Sequence, residues 1–424
     1  MNRNTLNEAL AGAKSTLSAI YGDAVQSRTE RILALADTFE QTYGAGREIA
    51  VFSVPGRSEL SGNHTDHNHG RVIAASIDLD IIAVASPRED GIIRIKSEGF
   101  PEDVVDISVY TEPDEARFGS SASLIAGMCA GFRAKGYKIG GFDACTTSNV
   151  LKGSGLSSSA AFEDMVGNIL NHLYNDGNVD NVEIAKLAQF SENKFFGKPC
   201  GLMDQVACAA GGIVAIDFKD PTAPVIEKLS FDVTAAGFRL CIVDTGGNHA
   251  DLTPDYAAVP AEMKSVAKAM GAEVLREADE NAVLANIKTL RAQFGDRAVL
   301  RALHFFAENQ RVKEQSDALR AGELQRYFDG VIASGRSSFC YLQNVYTSVN
   351  VAEQGLSLAL NLAERYLADK GGAWRVHGGG FAGTIQAYVP ADAVEGYREM
   401  MNAVFGEGAC IPLCIRPLGA IRIV

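Results

Sequence analysis

The chain has 424 residues, 47% hydrophobic and 21% charged, enough for about two to three domains with substantial cores. Its formal net charge of −13 argues against a general affinity for nucleic acid and requires any positive potential at a site to be made locally. No segment approaches the ~20 apolar residues of a membrane helix, and the opening MNRNTLNEALAGAKSTLSAI holds no apolar run of the exporting kind, so a cytoplasmic protein is expected. Eight scattered cysteines form no CxxC pair and read as free thiols in a reducing compartment.

In chain order, residues 5–43 read as helical and 48–54 as a strand, with one or two more strands over 71–86 and another in DGIIRIKSEG. Residues 143–151 form the next strand. A glycine and serine loop follows, then an amphipathic helix carrying Phe162, Met165, Val166, Ile169, Leu170 and Leu173 at helical spacing. A second helix spans about 182–196 and breaks near Gly197 and Pro199. GGIVAIDF (211–218) is a strand, and KDPTAPVIEK after it reads as a connection, which places a domain boundary near 230. FRLCIVDTG opens the second half, 257–370 is mostly helical, and strands over 384–389, 410–417 and 420–424 close the chain. Strands and helices alternate without a regular βαβ period, so the class is α+β in two lobes.

Three segments carry the chemistry. Val54-Pro-Gly-Arg-Ser-Glu-Leu-Ser-Gly-Asn-His-Thr-Asp-His-Asn-His-Gly70 reads as a loop after a strand, with one Arg, three His and one Asp. On residue type alone it is a metal site or a polar surface turn; HxxHxH is not a standard zinc spacing. Leu151-Lys-Gly-Ser-Gly-Leu-Ser-Ser-Ser-Ala-Ala161 places glycines and hydroxyls between a strand and a helix, where backbone amides and the helix N-terminus suit an anion. It is not a Walker A loop, and a serine-capped turn would also explain it. His377-Gly-Gly-Gly-Phe-Ala-Gly383 suggests backbone passing close to a ligand or to another segment.

Together these segments resemble the three motifs of the GHMP kinase superfamily, and within it the galactokinases. The galactokinase pattern PGRVNLIGEHTDYNGG stands here as PGRSELSGNHTDHNHG, GxGLSSSAA matches in full from Gly153, and RMTGGGFGG appears as Arg375 to Gly383. Glu192, Gly197, Pro199, Cys200, Gly201, Met203, Asp204 and Gln205 look like AExxxxGxPCGIMDQ, Asp244 to Tyr256 keeps the spacing of DSG…EY, and Glu308, Asn309 and Arg311 fit a family helix. The resemblance runs over roughly residues 48–390. It implies a two-lobed GHMP kinase fold, with a ribosomal-protein-S5-like N-terminal lobe (1–230) and a ferredoxin-like C-terminal lobe (231–424) whose final strand can return to the first.

The implied activity is transfer of the γ-phosphoryl group of ATP to the anomeric hydroxyl of galactose, with Mg²⁺ as cofactor. By the resemblance, Asp204 faces that hydroxyl as base, and Arg57 stabilises the phosphate or holds Asp204. Gly153, Ser154, Gly155, Leu156, Ser157, Ser158 and Ser159 cradle ATP. Ser159 and Glu192 hold the metal, and Asn63, His64, Asp66, Gly201 and Tyr256 bind the sugar. From spacing alone, Glu192 lies on the apolar face of its helix with Ile184 and Ala188, where a metal or a buried Lys or Arg must compensate its charge.

The match departs from the pattern at four places. Asn63 replaces a glutamate that bonds the sugar's primary hydroxyl. Val259 and Pro260 replace a basic pair, Ser121 and Leu124 replace aromatic residues near the nucleotide base, and Ala382 replaces a glycine. Two rival readings follow: a kinase for arabinose, galacturonate or N-acetylgalactosamine, and a galactose sensor that binds without turnover. Intact Arg57, Glu192 and Asp204 speak against the sensor.

Overall fold

The computed structural model describes residues 1–150, 155–198, 200–247 and 252–424. Three helices come first: α1 (Leu6–Gly12), α2 (Lys14–Tyr21) and α3 (Val25–Tyr43). Next come β1 (Ala50–Ser61), β2 (Arg71–Arg88), β3 (Ile92–Ser97), β4 (Glu102–Asp106), α4 (Ser121–Ala134) and β5 (Gly141–Ser148). They are followed by α5 (Ser158–Tyr174), α6 (Asn181–Ser191), α7 (Met203–Ala210), β6 (Ile213–Asp217) and β7 (Val225–Leu229). The rest of the chain forms β8 (Phe238–Asp244), α8 (Thr253–Ala269), α9 (Glu280–Ala285), α10 (Ile287–Ala321), α11 (Leu324–Ser337) and α12 (Gly355–Leu367). It closes with β9 (Ala373–Val376), β10 (Thr384–Pro390), α13 (Val394–Phe405), β11 (Cys410–Leu413) and β12 (Ile421–Arg422).

Among the described residues there are two sheets, which makes the class α+β. The first runs β12-β1-β2-β5-β3-β4, with β6 also on β2 and β7 on β6; the second runs β11-β8-β10-β9. Among the described strands only β3 and β5 pair in parallel. The last strand of the chain pairs with the first, Phe52 opposite Arg422.

Period-two alternation decides what each face of the first sheet meets. Val51, Ile82, Val84 and Cys145 face the three N-terminal helices, packing on Leu6, Leu10, Leu17, Ile20, Ile32, Leu35 and Phe39. Phe52, Val54, Ala83 and Ala85 face the opposite way, into the core built by α4, α5 and α6. A buried polar knot fastens the N-terminal helices: Asp80 accepts from Tyr21 Oη at 2.6 Å, from Arg31 Nη1 at 2.7 Å and from Ser53 Oγ. Arg416 donates to Ser53 Oγ at 2.7 Å and lies 3.5 Å from the same carboxylate.

Three expectations change. The first motif is not a loop throughout: β1 continues to Ser61, so Arg57 and Glu59 are strand residues beside register shifts at Pro55/Arg57 and Glu59/Ser61. The connection expected at 219–228 contains β7, which pairs along β6 from Val225 opposite Asp217 to Leu229 opposite Ile213. The helix expected to 196 ends as α-helix at Ser191 and continues as one π turn, Glu192–Phe196.

Candidate active site

The first two motifs meet at Arg57. Its backbone N–H donates to Leu156 O at 3.1 Å and its guanidinium donates to Gly155 O. Through Nε the same guanidinium donates to Asp204 Oδ1 at 2.8 Å, and Ser157 Oγ donates to Asp204 Oδ2 at 2.5 Å. Ser157 stands at the entrance of α5 with φ +59, and its hydroxyl goes to Asp204 instead of capping the helix. The first-turn amides of α5 therefore have no side-chain cap and can receive an anion. Asp204 lies in the first turn of α7, where the helix dipole favours negative charge. Burial alone would raise its pKa; the charge and hydrogen bond of Arg57, then the Ser157 hydroxyl, outweigh that and hold it below the ordinary carboxylate range.

The third motif stands directly behind. His377 Nε2 is 3.1 Å from Ser58 Oγ, and its Nδ1 is 2.9 Å from Thr384 Oγ1. Local spacing carries no sign of this support, because Ser58 lies 319 residues away along the chain. Burial, with the Arg57 and Arg375 charges, pushes the His377 imidazole well below its ordinary pKa, so the ring is neutral.

A cavity of about 630 Å³ opens beside the start of α5. Ser158 and Ser159 line it, with Phe100, Phe162 and Phe196 among its apolar walls. Ser121 and Leu124, which stand where the galactokinase pattern has aromatic residues, line it too. Leu156 is buried behind Arg57. Gly153 and Ser154 lie outside the described residues.

Glu192 is buried and paired. Lys198 Nζ donates to its Oε1 at 3.0 Å and Gln205 Nε2 to its Oε2 at 2.9 Å. The lysine partner left open by the sequence pattern is therefore present, though only the carboxylate of the pair is buried. Gln205 Nε2 also reaches Glu163 Oε2 at 3.4 Å, and Glu163 lies one helical turn after Ser159 on α5. Burial and the Glu192 charge push the Glu163 carboxyl well above its ordinary range. Glu163 Oε1 and Gln205 Oε1 are buried without a partner among the described residues. This oxygen-lined corner, with two carboxyls and two unpartnered oxygens, fits a divalent cation, and its oxygen donors are the kind Mg²⁺ takes alongside phosphate. No group of three or more His, Cys, Asp or Glu able to hold a metal occurs among the described residues.

Three of the expected sugar contacts instead grip the glycine loop. Asn63 Nδ2 donates to Gly378 O at 2.6 Å, His64 Nε2 lies 2.9 Å from Gly379 O, and Tyr256 Oη donates to Gly380 O at 2.8 Å. Asn63 has no exposed surface, and its Oδ1 accepts from Asn344 Nδ2 at 2.8 Å and Ser338 Oγ at 3.1 Å. Its amide is thus consumed by protein, which departs from the expected ligand contact. Glu308 holds the same turn from α10, accepting from the backbone N–H of Gly62 at 3.2 Å and of Asn63 at 3.3 Å. Asp66 and Gly201 line a second, smaller cavity of about 220 Å³, together with His67, His69, Gln189 and Phe218.

The chain is similar to known proteins over most of its length. The family model "GHMP kinases N terminal domain" matches residues 123–212, and "Galactokinase galactose-binding signature" matches 37–87. The galactokinase of Streptomyces coelicolor is 30% identical over 379 residues, 88% of this chain and 92% of the relative. That of Actinobacillus pleuropneumoniae is 31% identical over 372 residues, 86% and 91% respectively. The crystal structure of Lactococcus lactis galactokinase complexed with galactose matches with a TM-score of 0.77 at 27% identity, over 92% of this chain and 99% of that one. Methanococcus jannaschii mevalonate kinase shares the fold at a TM-score of 0.62 and 15% identity, over 87% and 98%. With its three motifs brought to one place and relatives matched over nearly their whole length, the chain belongs to the galactokinase family of GHMP kinases.

Proposed function

We propose that this chain transfers the γ-phosphoryl group of ATP to the anomeric hydroxyl of galactose, giving galactose 1-phosphate. The observation that carries the reading is Asp204, fixed at one oxygen by Arg57 and at the other by Ser157. Ser157 adjoins Ser158 and Ser159 of the larger cavity, and Gly201 of the smaller cavity stands three residues before Asp204. The base therefore sits where a nucleotide on one side and a monosaccharide on the other would meet.

Phosphoryl transfer asks the protein for alignment, a route for one proton and charge stabilisation. Asp204, kept ionised, orients the sugar hydroxyl and accepts its proton. Arg57 keeps its charge throughout, holding that carboxylate and facing the negative charge of the moving group. The open amides at the start of α5, with Ser158 and Ser159, receive the phosphates, and the shared sequence motif extends this role to Gly153 and Ser154. Ser159 and Glu192 would hold Mg²⁺, which when bound neutralises phosphate charge. Asp66, Gly201, His64 and Tyr256 face the sugar, the last two by way of the loop they hold. The two sheets belong to two lobes that divide near residue 230. No helix among the described residues is long and apolar enough to cross a membrane, and none of the eight cysteines is in a disulfide. We place the protein in the cytoplasm, where ATP is available and thiols stay reduced.

One observation favours a second reading. Because the Asn63 amide is fully engaged by protein, position 63 offers nothing to a sugar's primary hydroxyl, so a substrate altered at that carbon, such as arabinose or galacturonate, fits as well. ADP release with Mg²⁺, ATP and galactose, glucose, arabinose, galacturonate or N-acetylgalactosamine separates the two. Preference for galactose establishes the first reading, preference for arabinose or galacturonate the second, and no turnover on any sugar removes both in favour of a sensor.

A further inference from the structure

Lys198 stands apart from every residue so far given a role. The Glu192 side chain is 3% exposed and that of Lys198 61%, yet their charged atoms are 3.0 Å apart. The pair is built locally: Lys198 N–H donates to Glu192 O at 3.2 Å, closing the turn that ends at Gly197, so a spacing of six residues returns the ammonium to the carboxylate. It is the one cation within bonding distance of Glu192 among the described residues, in a corner that also holds Glu163. A buried carboxylate without a counter-charge is strongly disfavoured, so the metal-free protein needs this ammonium. The charge of Lys198 also reaches Asp204 and helps keep it ionised. Lysine suits both demands, because it is a point charge on a long flexible stem and can leave one anion for another without losing its tether.

We propose that Lys198 is a positioning residue for the reaction, a resident counter-ion that neutralises Glu192 until a divalent cation takes that carboxylate, and then turns its ammonium to the phosphate being transferred. This rests on the reading of Glu192 as the metal's carboxylate. Metal binding and Lys198 binding at Oε1 are mutually exclusive, so the ammonium sets the metal's apparent affinity and is released only when a second cation has arrived. Charge in the corner therefore stays compensated before and after loading.

The test compares the parent with Lys198→Met, Lys198→Arg and Glu192→Gln. Mn²⁺ binding to the nucleotide-free proteins is followed by electron paramagnetic resonance, melting is followed with and without Mn²⁺, and turnover is measured at saturating Mg²⁺. Lys198→Met should bind Mn²⁺ about fivefold tighter than the parent, the upper end for losing a competitor from a partly exposed pair. It should melt lower than the parent without metal and recover more of its midpoint when Mn²⁺ is added. Its turnover should fall about tenfold, one hydrogen bond to a charged group, and Lys198→Arg should restore most of it. Equal Mn²⁺ affinity in Lys198→Met and parent, with Glu192→Gln impaired, would overturn the role of Lys198 and leave the metal assignment standing. Mn²⁺ binding by Glu192→Gln at the parent's affinity would overturn the metal assignment itself.

Discussion

Ser157 and Asp204 meet side chain to side chain at 2.5 Å, each at the beginning of a different helix. The hydroxyl stabilises the ionised carboxylate, so its removal must raise the pKa of Asp204. Ser157→Ala should move the acid limb of the pH dependence of kcat/KM to higher pH. With one of two restraints gone, turnover at neutral pH should also fall by roughly ten- to hundredfold. An unmoved acid limb would show that the hydroxyl does not set the charge of the base.

Asp204→Asn goes further. The amide keeps the size of the side chain but cannot accept the sugar's proton, and Arg57 loses its counter-charge. Turnover should fall by about 10²- to 10⁴-fold, while the imido analogue of ATP binds nearly as before, since Ser158, Ser159 and the α5 amides are untouched. Single-turnover kinetics beside calorimetry of the analogue check both halves; turnover near the parent's would remove Asp204 from the chemistry.

The residues of these two predictions differ in how far the sequence can place them. Asp204 and Arg57 are reached only through the motifs this chain shares with the galactokinases, which single out those two positions. Ser157 reads as a phosphate ligand, because its bond to a residue 47 positions away leaves no local trace. Asn63 reads as a sugar contact for the same reason: Glu308, Ser338, Asn344 and Gly378 occupy the turn and its amide from the far end of the chain. Helix α4 escapes the reading for another cause. Its buried residues fall on nearly every side, Leu124, Ile125, Ala126, Met128, Cys129 and Phe132 among them, so no polar face marks a helical period.

The glycine loop separates backbone strain from steric fit. Gly378 has φ +67, and nothing lies within 4 Å of where a β-carbon would stand. At Gly380, φ +81, a β-carbon would collide with the carbonyl oxygen of Asn344. Gly378→Ala should therefore cost only the left-handed backbone, about 1 kcal/mol. Gly380→Ala should cost several-fold more and raise KM for the sugar, because the carbonyls held by Asn63, His64 and Tyr256 must shift. Equal melting midpoints for the two variants would contradict the close packing of Gly380.

The knot around Asp80 makes the N-terminal helices part of the fold. Asp80 and Arg416 are both fully buried, and Asp80→Ala would leave Arg416 without its compensating charge. That change should destabilise the protein by about 3–5 kcal/mol. Arg3→Ala, which breaks the more exposed pair with Asp37, should cost no more than about 1 kcal/mol. Denaturant unfolding of the two variants gives the comparison directly, and a small loss in Asp80→Ala would mean that the N-terminal helices are held by apolar contacts alone.

Asp164 supplies the opposite case, a carboxyl the fold would be more stable without. It lies on α5 with no exposed surface, and neither oxygen has a partner among the described residues. Burial pushes its pKa well above the ordinary range. The unfolded chain, with an aspartate pKa of about 3.9, releases this proton before the folded chain does. Below that pH both states are protonated and the group is neutral in effect. As pH rises through the interval up to the folded value, the folded state alone holds the proton and stability is progressively lost. Asp164→Asn copies the protonated form and cannot titrate. Its melting midpoint should exceed the parent's at about pH 8, and the gain should shrink as pH falls and vanish near the unfolded pKa of about 4. A variant less stable than the parent in the alkaline buffer would mean that the carboxylate is ionised and paired in the folded protein.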